Sequence, residues 1–209
     1  DPSVLTDQVA AYDEVRDRCP VAHSEFLGWS VLRHDDVLAV LGDPVTFSSR
    51  VSTHVAVPNG MDPPDHTAYR AVVDRCFTPE LVMAFEHELR EVATRIVVDA
   101  VAGADVVEVM SAIAEPFAAR AQCAYLGWPP EAATALQEWW ADSARATLAR
   151  DRDELARVAE RFDRIILMMI DRERTAGPRD RATLTGRLLD ELVDGAPLTD
   201  PVLVSMLRN

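Results

Sequence analysis

The chain has 209 residues, 48% of them hydrophobic and 27% charged, with a formal net charge of −14. Such a composition suits a globular protein with one good core or two small ones, and so acidic a surface repels phosphate backbones, which argues against nucleic-acid binding. The longest apolar stretch, Ile165 to Ile170, is flanked by charges and too short for a membrane span, and no signal peptide is visible, so no membrane partner and a cytoplasmic setting are expected.

Cys19, Cys76 and Cys123 are far apart and odd in number. Without a CxxC pair they predict neither a zinc site nor a disulfide framework. The chain begins at Asp1 rather than Met, so its true N-terminus is expected upstream.

Asp7 to Cys19 reads as a short helix stopped by Pro20. EFLGWSVLRH alternates around Gly28 and predicts two short strands joined by a turn. Asp35 and Asp36 precede an apolar turn, Val37 to Leu41, closed by Gly42. Val51 to Gly60 lacks helical periodicity and is expected to be a long surface loop. Asp62-Pro63-Pro64-Asp65 is a helix start with an Asp cap and prolines in the first turn, and that helix should reach Cys76.

Thr78-Pro79-Glu80 caps a second helix whose face is Leu81, Phe85, Leu89, Val92, Ile96 and Ala100, broken at Gly103. Val106 to Val109 reads as a short extended piece, and Ser111 to Leu126 as a helix closed by Gly127. Glu131 to Thr147 forms a helix carrying Trp139 and Trp140. Asp153 to Arg174 has the clearest periodicity, Leu155, Val158, Phe162, Ile165, Ile166 and Met169, and Gly177-Pro178 ends it. Thr183 to Val193 reads as another helix, followed by an Asp194-Gly195 turn. Thr199-Asp200-Pro201 opens a last helix with no stop signal before Asn209. The whole is mainly α with a small N-terminal β-sheet.

The segment Met61 to Val82 carries the most chemistry. His66 and Arg70 are four apart on one helix and share a face with Val73 and Phe77. A planar guanidinium fork beside an imidazole, above apolar neighbours, could clamp a carboxylate at the edge of a flat apolar ligand. Spacing alone allows a plainer reading, with His66 near a helix start and Arg70 paired to Asp74.

Met61-Asp62-Pro63-Pro64-Asp65-His66 with Arg70 closely resembles the heme-crossing helix of cytochromes P450, whose pattern is D-P-P-(acid)-H-x-x-x-R. The resemblance continues through Phe77-Thr78-Pro79, through D-P-x-x-F-S-S at Asp43 to Ser49, and through Leu126-Gly127 with Pro129. It reaches Asp194-Gly195 ahead of Leu198-Thr199, so an ordered set spans nearly the whole chain. It implies the N-terminal part of the cytochrome P450 fold: residues 1–209 as a single partial domain, the N-terminal half of a catalytic domain, cut at the start of the long central helix.

The resemblance further implies heme b, with His66 and Arg70 on its propionates, and a monooxygenase inserting one atom of O2 into a small lipophilic organic substrate by hydroxylation or O- or N-dealkylation. Electrons would come from a ferredoxin, a flavodoxin or a fused reductase. Substrate contacts would fall on His54, Val57 and Asn59 in the loop and on Trp140, Ser143 and Ala144, although these positions equally suit an ordered loop and a core helix. Arg75 could face an electron donor or be simply an exposed arginine.

The family's iron-ligating cysteine loop, F-x-x-G-x-x-x-C-x-G, surrounds none of the three cysteines, so that ligand is expected beyond Asn209, and no catalytic residue or metal ligand is named within the segment. Glu154 and Arg157 have the spacing of the family's E-x-x-R pair on the wrong helix and read as a surface ion pair. The rival reading is a non-catalytic helical module that binds heme or another ligand.

Overall fold

The structure is a computed structural model and describes residues 6–25, 28–51, 54–176 and 183–208. It falls into two compact units, residues 1–51 with 61–63, and residues 52–60 with 64–209.

In the first unit, helix α1 (Gln8–Arg18) starts where the Asp7 carboxylate accepts the Ala10 N–H at 3.0 Å and stops before Pro20. Strands β1 (Val21–Ser24) and β2 (Gly28–Val31) form an antiparallel hairpin, Val21 opposite Val31 and Ser24 opposite Gly28. The hairpin starts one strand earlier than the alternation in EFLGWSVLRH predicts, because Pro20 releases the chain directly into extended backbone. Helix α2 (His34–Leu41) has Asp35 and Asp36 in its first turn, near the positive end of its dipole, with Arg33 rather than an Asp at the cap.

Asp62 also departs from expectation. Its carboxylate accepts from Ser48 Oγ at 2.6 Å and from the Ser49 N–H at 2.8 Å. It ties the D-P-x-x-F-S-S turn and caps no helix.

The second unit is nearly all helix. Helix α3 (Asp65–Cys76) starts at Pro64 without a side-chain cap. Helix α4 (Pro79–Val101) is capped by Thr78 Oγ1, and all six residues of its predicted apolar face are buried or half-buried. Residues 105–106 bend, 107–108 pair in no sheet and Val109 is already helical, contrary to the extended piece predicted at Val106 to Val109; a lone strand has no ladder partner to hold it. A single wide turn, Met110–Ala114, leads into α5 (Glu115–Leu126). Helices α6 (Ala132–Ala149) and α7 (Arg152–Ala176) follow, with Trp139 stacked on Phe162 at a centroid distance of 4.0 Å.

Helix α8 (Leu184–Asp190) is shorter than predicted. Leu192–Val193 forms β3 and pairs with β4 (Ala196–Pro197). The turn between them places both Asp194 and Gly195 at positive φ, the geometry that closes a two-residue hairpin. Helix α9 (Asp200–Arg208) buries Leu203, Val204, Ser205 and Leu207.

The core lies where α5, α7, α8 and α9 meet, with Ile166, Ile170 and Leu203 among its most deeply buried side chains. A polar lock sits inside it. The buried Thr185 hydroxyl donates to the Leu126 carbonyl at 2.7 Å and accepts from Trp128 Nε1 at 3.1 Å, fixing α8 against the turn after α5. The predicted stop at Gly177-Pro178 lies outside the described residues.

Candidate functional site

Helix α3 presents His66, Arg70 and Val73 at helical spacing, and Phe77 follows as its C-cap with non-helical backbone, φ −123° and ψ 35°. The Arg70 Nε–H donates to Asp74 Oδ1 at 2.8 Å, and both side chains are more than half exposed. His66 is half-buried one turn earlier.

Arg70 stands at the edge of a cavity of about 390 Å³. Val73 of α3 and Phe77 just past its end, Leu126 of α5, Leu188 of α8 and Met206 and Leu207 of α9 supply its apolar lining, with Pro58, Asn59 and Gln122 beside them. One cation on a lining shared between apolar side chains and the amides of Asn59 and Gln122 suits a ligand with an apolar body that carries a carboxylate. That donor set fits heme at its propionate edge: Arg70 offers a fork of donors at the border, and its present partner is a solvent-exposed carboxylate that an incoming anion can displace.

Cys76 borders the same cavity but does not fit an iron ligand. It is buried, its thiol points back to the Val72 carbonyl at 3.7 Å, and burial, then the Glu191 charge, push its pKa up. Burial pushes the Cys123 thiol up to about 11. Both groups therefore hold their protons at neutral pH, where a metal-binding or nucleophilic cysteine must be thiolate. Iodoacetamide at pH 8 should modify the exposed Cys19 and spare Cys76 and Cys123 until the protein unfolds, as read by peptide mass spectrometry. Cys123 should gain reactivity only as the pH approaches its raised pKa. Faster labelling of Cys76 or Cys123 than of Cys19 would contradict this.

A second cavity, of about 710 Å³, lies between the segment His54–Val55, one face of α7 (Leu155, Ala156, Ala159, Glu160) and the start of α9 (Pro201, Val204). Segment 54–60 therefore contributes to both cavities, with His54 and Val55 at the larger and Pro58 and Asn59 at the smaller. Its middle is buried rather than on the surface: Val57 is 1% exposed. The Val57 N–H donates to Ser205 Oγ at 2.7 Å, and the Ser205 hydroxyl donates to the Val55 carbonyl at 3.0 Å.

Of the positions marked in the sequence, Asn59 and Arg70 share one cavity and His54 borders the other. Trp140 is half-buried against the core, Ser143 is half-buried and Ala144 exposed, and none of the three lines either cavity. Ser205 was missed, and its signal was a small hydroxyl inside the apolar run Leu203-Val204-Ser205-Met206-Leu207, which burial obliges to find a partner. Arg75 is engaged by Glu191 through Nε at 3.1 Å, a pairing that lowers the glutamate's pKa and raises the arginine's. Glu154 and Arg157 form an exposed pair at 2.8 Å. Among the described residues no helix is long and apolar enough to cross a membrane, and no cluster of His, Cys, Asp and Glu could hold a metal ion.

No family model matches the chain. It is 32% identical over 212 residues to the erythromycin C-12 hydroxylase of Saccharopolyspora erythraea, which covers 94% of this chain and 52% of that protein. It is 28% identical to the cyclomarin C epoxidase of Salinispora arenicola over 92% of this chain and 52% of that protein. Its fold superposes on a solved cytochrome P450 from Chondromyces apiculatus with a TM-score of 0.81 at 25% identity, over 100% of this chain and 54% of that one. The chain spans about half the length of the curated relatives just named.

Proposed function

This chain belongs to the cytochrome P450 family, and we propose on that footing that it forms the N-terminal half of a heme-dependent monooxygenase acting on a small lipophilic organic substrate. The observation that carries this reading is the cavity of about 390 Å³ in which Arg70 is the one cation, beside Val73, Phe77, Met206 and Leu207. Heme, when bound, would supply the activation of O2 and the insertion of one oxygen atom. The family's iron ligand would be a thiolate from sequence beyond Asn209, consistent with the protonated, inward-facing thiol of Cys76.

The chain's own residues would do the holding. Arg70 would exchange Asp74 for a heme propionate, and His66, one turn earlier, would add a second donor. Val73, Phe77, Met206 and Leu207 would keep water from the ligand's faces. His54 and Asn59, and with less support from the geometry Val57, Trp140, Ser143 and Ala144, would face substrate. Relatives that hydroxylate and epoxidise support a reaction of this class. Electrons would come from a ferredoxin, a flavodoxin or a fused reductase, in the cytoplasm.

The test is the absorption spectrum of the full-length protein, reduced and exposed to carbon monoxide. A red-shifted Soret band typical of thiolate ligation is expected. A protein that takes up no heme would overturn the reading and leave a helical binding module.

A further inference from the structure

A third cavity, of about 320 Å³, lies between the end of α3, the first turns of α4, the end of α5 and helix α8. Its lining shares only Cys76 and Leu184 with the cavity beside Arg70. Its aromatic wall is held in place. Tyr125 donates its hydroxyl to the Cys76 carbonyl, and Phe85 meets the Tyr125 ring edge-on at a centroid distance of 5.0 Å. Leu81 and Leu184 extend the apolar surface. Burial raises the Tyr125 pKa and the charge of Arg187 lowers it in part, which puts the guanidinium near this wall.

Two charged side chains stand on the lining, one of each sign and on different helices. Arg187 is half-buried in the last turn of α8, and Glu88 is exposed on α4. The neighbouring acids Glu86 and Glu91 are engaged along α4 by Arg90 and His87, whereas Glu88 has no ion-pair partner among the described residues. An apolar hollow with a guanidinium on one wall and a carboxylate on another is complementary to a zwitterion with an apolar body. We propose that this cavity binds an α-amino acid with a large apolar side chain, its carboxylate on Arg187, its ammonium towards Glu88 and its side chain against Phe85, Leu81 and Leu184. A plain carboxylate suits the cavity less, because Glu88 repels it and gives nothing in return. The site is separate from the one assigned to heme and does not depend on that reading.

Ligand-observed NMR titrations of the full-length protein compare L-phenylalanine with 3-phenylpropanoate, which lacks the ammonium. L-Phenylalanine should bind with a Kd of about 0.1–1 mM, in keeping with its size. Arg187→Gln should weaken both ligands about tenfold, since both carry the carboxylate. Glu88→Gln should weaken L-phenylalanine about threefold yet strengthen 3-phenylpropanoate, because the same acid attracts one ligand and repels the other. A general loosening of the fold does not produce that crossing. Should Arg187→Gln not fold, Ala84→Trp, at an exposed position on the lining, should block both ligands, and unchanged binding there would overturn the proposal. No binding of L-phenylalanine to the wild-type protein would also overturn it, as would equal changes for the two ligands in Glu88→Gln. Affinity lost in Arg70→Ala but kept in Arg187→Gln would move the ligand to the other cavity and refute the assignment.

Discussion

Gly127→Ala should destabilise the protein by about 3 kcal/mol, two causes adding: a side chain in the left-handed region costs roughly 1–2 kcal/mol and overpacking about 1–3 kcal/mol. Gly127 closes α5 at φ +79°, and a Cβ built there would fall inside the van der Waals envelope of Thr183 Cγ2 and Cβ. Thr183 is not free to yield. Its Oγ1 accepts the Gly186 N–H at 3.0 Å, which starts α8, and donates to the buried Glu173 carboxylate at 2.8 Å. Relief of the clash therefore has to separate α8 from α5, which pulls on Thr185, Leu126 and Trp128. In a chain of this size the melting temperature should fall by about 6–12 °C. Gly103→Ala is the control, because Gly103 has a similar φ of +73° but open space where the Cβ would go. It should cost only the backbone part, and equal losses in the two variants would show that Thr183 moves aside freely.

Arg70→Ala should release heme much faster while leaving the fold almost untouched. The Arg70–Asp74 pair is exposed on both sides and four residues apart, so its loss costs at most about 0.5 kcal/mol of stability. A charge-assisted bond to a propionate is worth roughly 1.5–3 kcal/mol, so heme affinity should fall about 10- to 100-fold. Heme transfer to excess apomyoglobin from full-length protein measures the loss, and thermal unfolding of the heme-free form measures the fold. Arg70→Lys keeps the charge but not the fork and should lie between wild type and Arg70→Ala. Equal heme retention in all three proteins would remove Arg70 from the site.

The long helices were legible because their signals are local and repeated. Thr78-Pro79 starts α4, a side-chain cap followed by a proline in the first turn, and the apolar stripe of α7 runs from Leu155 to Ile170. Gly127 was readable as a stop because few other residues accept its φ. The short sheet elements were harder. Two residues such as Leu192-Val193 carry no periodicity, although the Asp-Gly pair after them was itself a hairpin signal. Asp62 looked like a cap from its neighbours, yet its partners Ser48 and Ser49 lie well upstream. At the site, the shared face of His66 and Arg70 followed from spacing, and so did the Arg70–Asp74 pair. The burial of Val57 could not be read locally, since the residue that covers it is 148 positions away.

That separation also bears on how the protein is made. Ribosomes add roughly 5–20 residues per second, so for about 7–30 s after Val57 is synthesised its partner does not exist. Closing so long a loop is entropically costly until the intervening helices have packed. The first unit, whose hairpin and serine–aspartate tie are local, can settle within that interval. Segment 55–58 must wait, and an apolar stretch that waits in the open is where a nascent chain most needs a chaperone's cover.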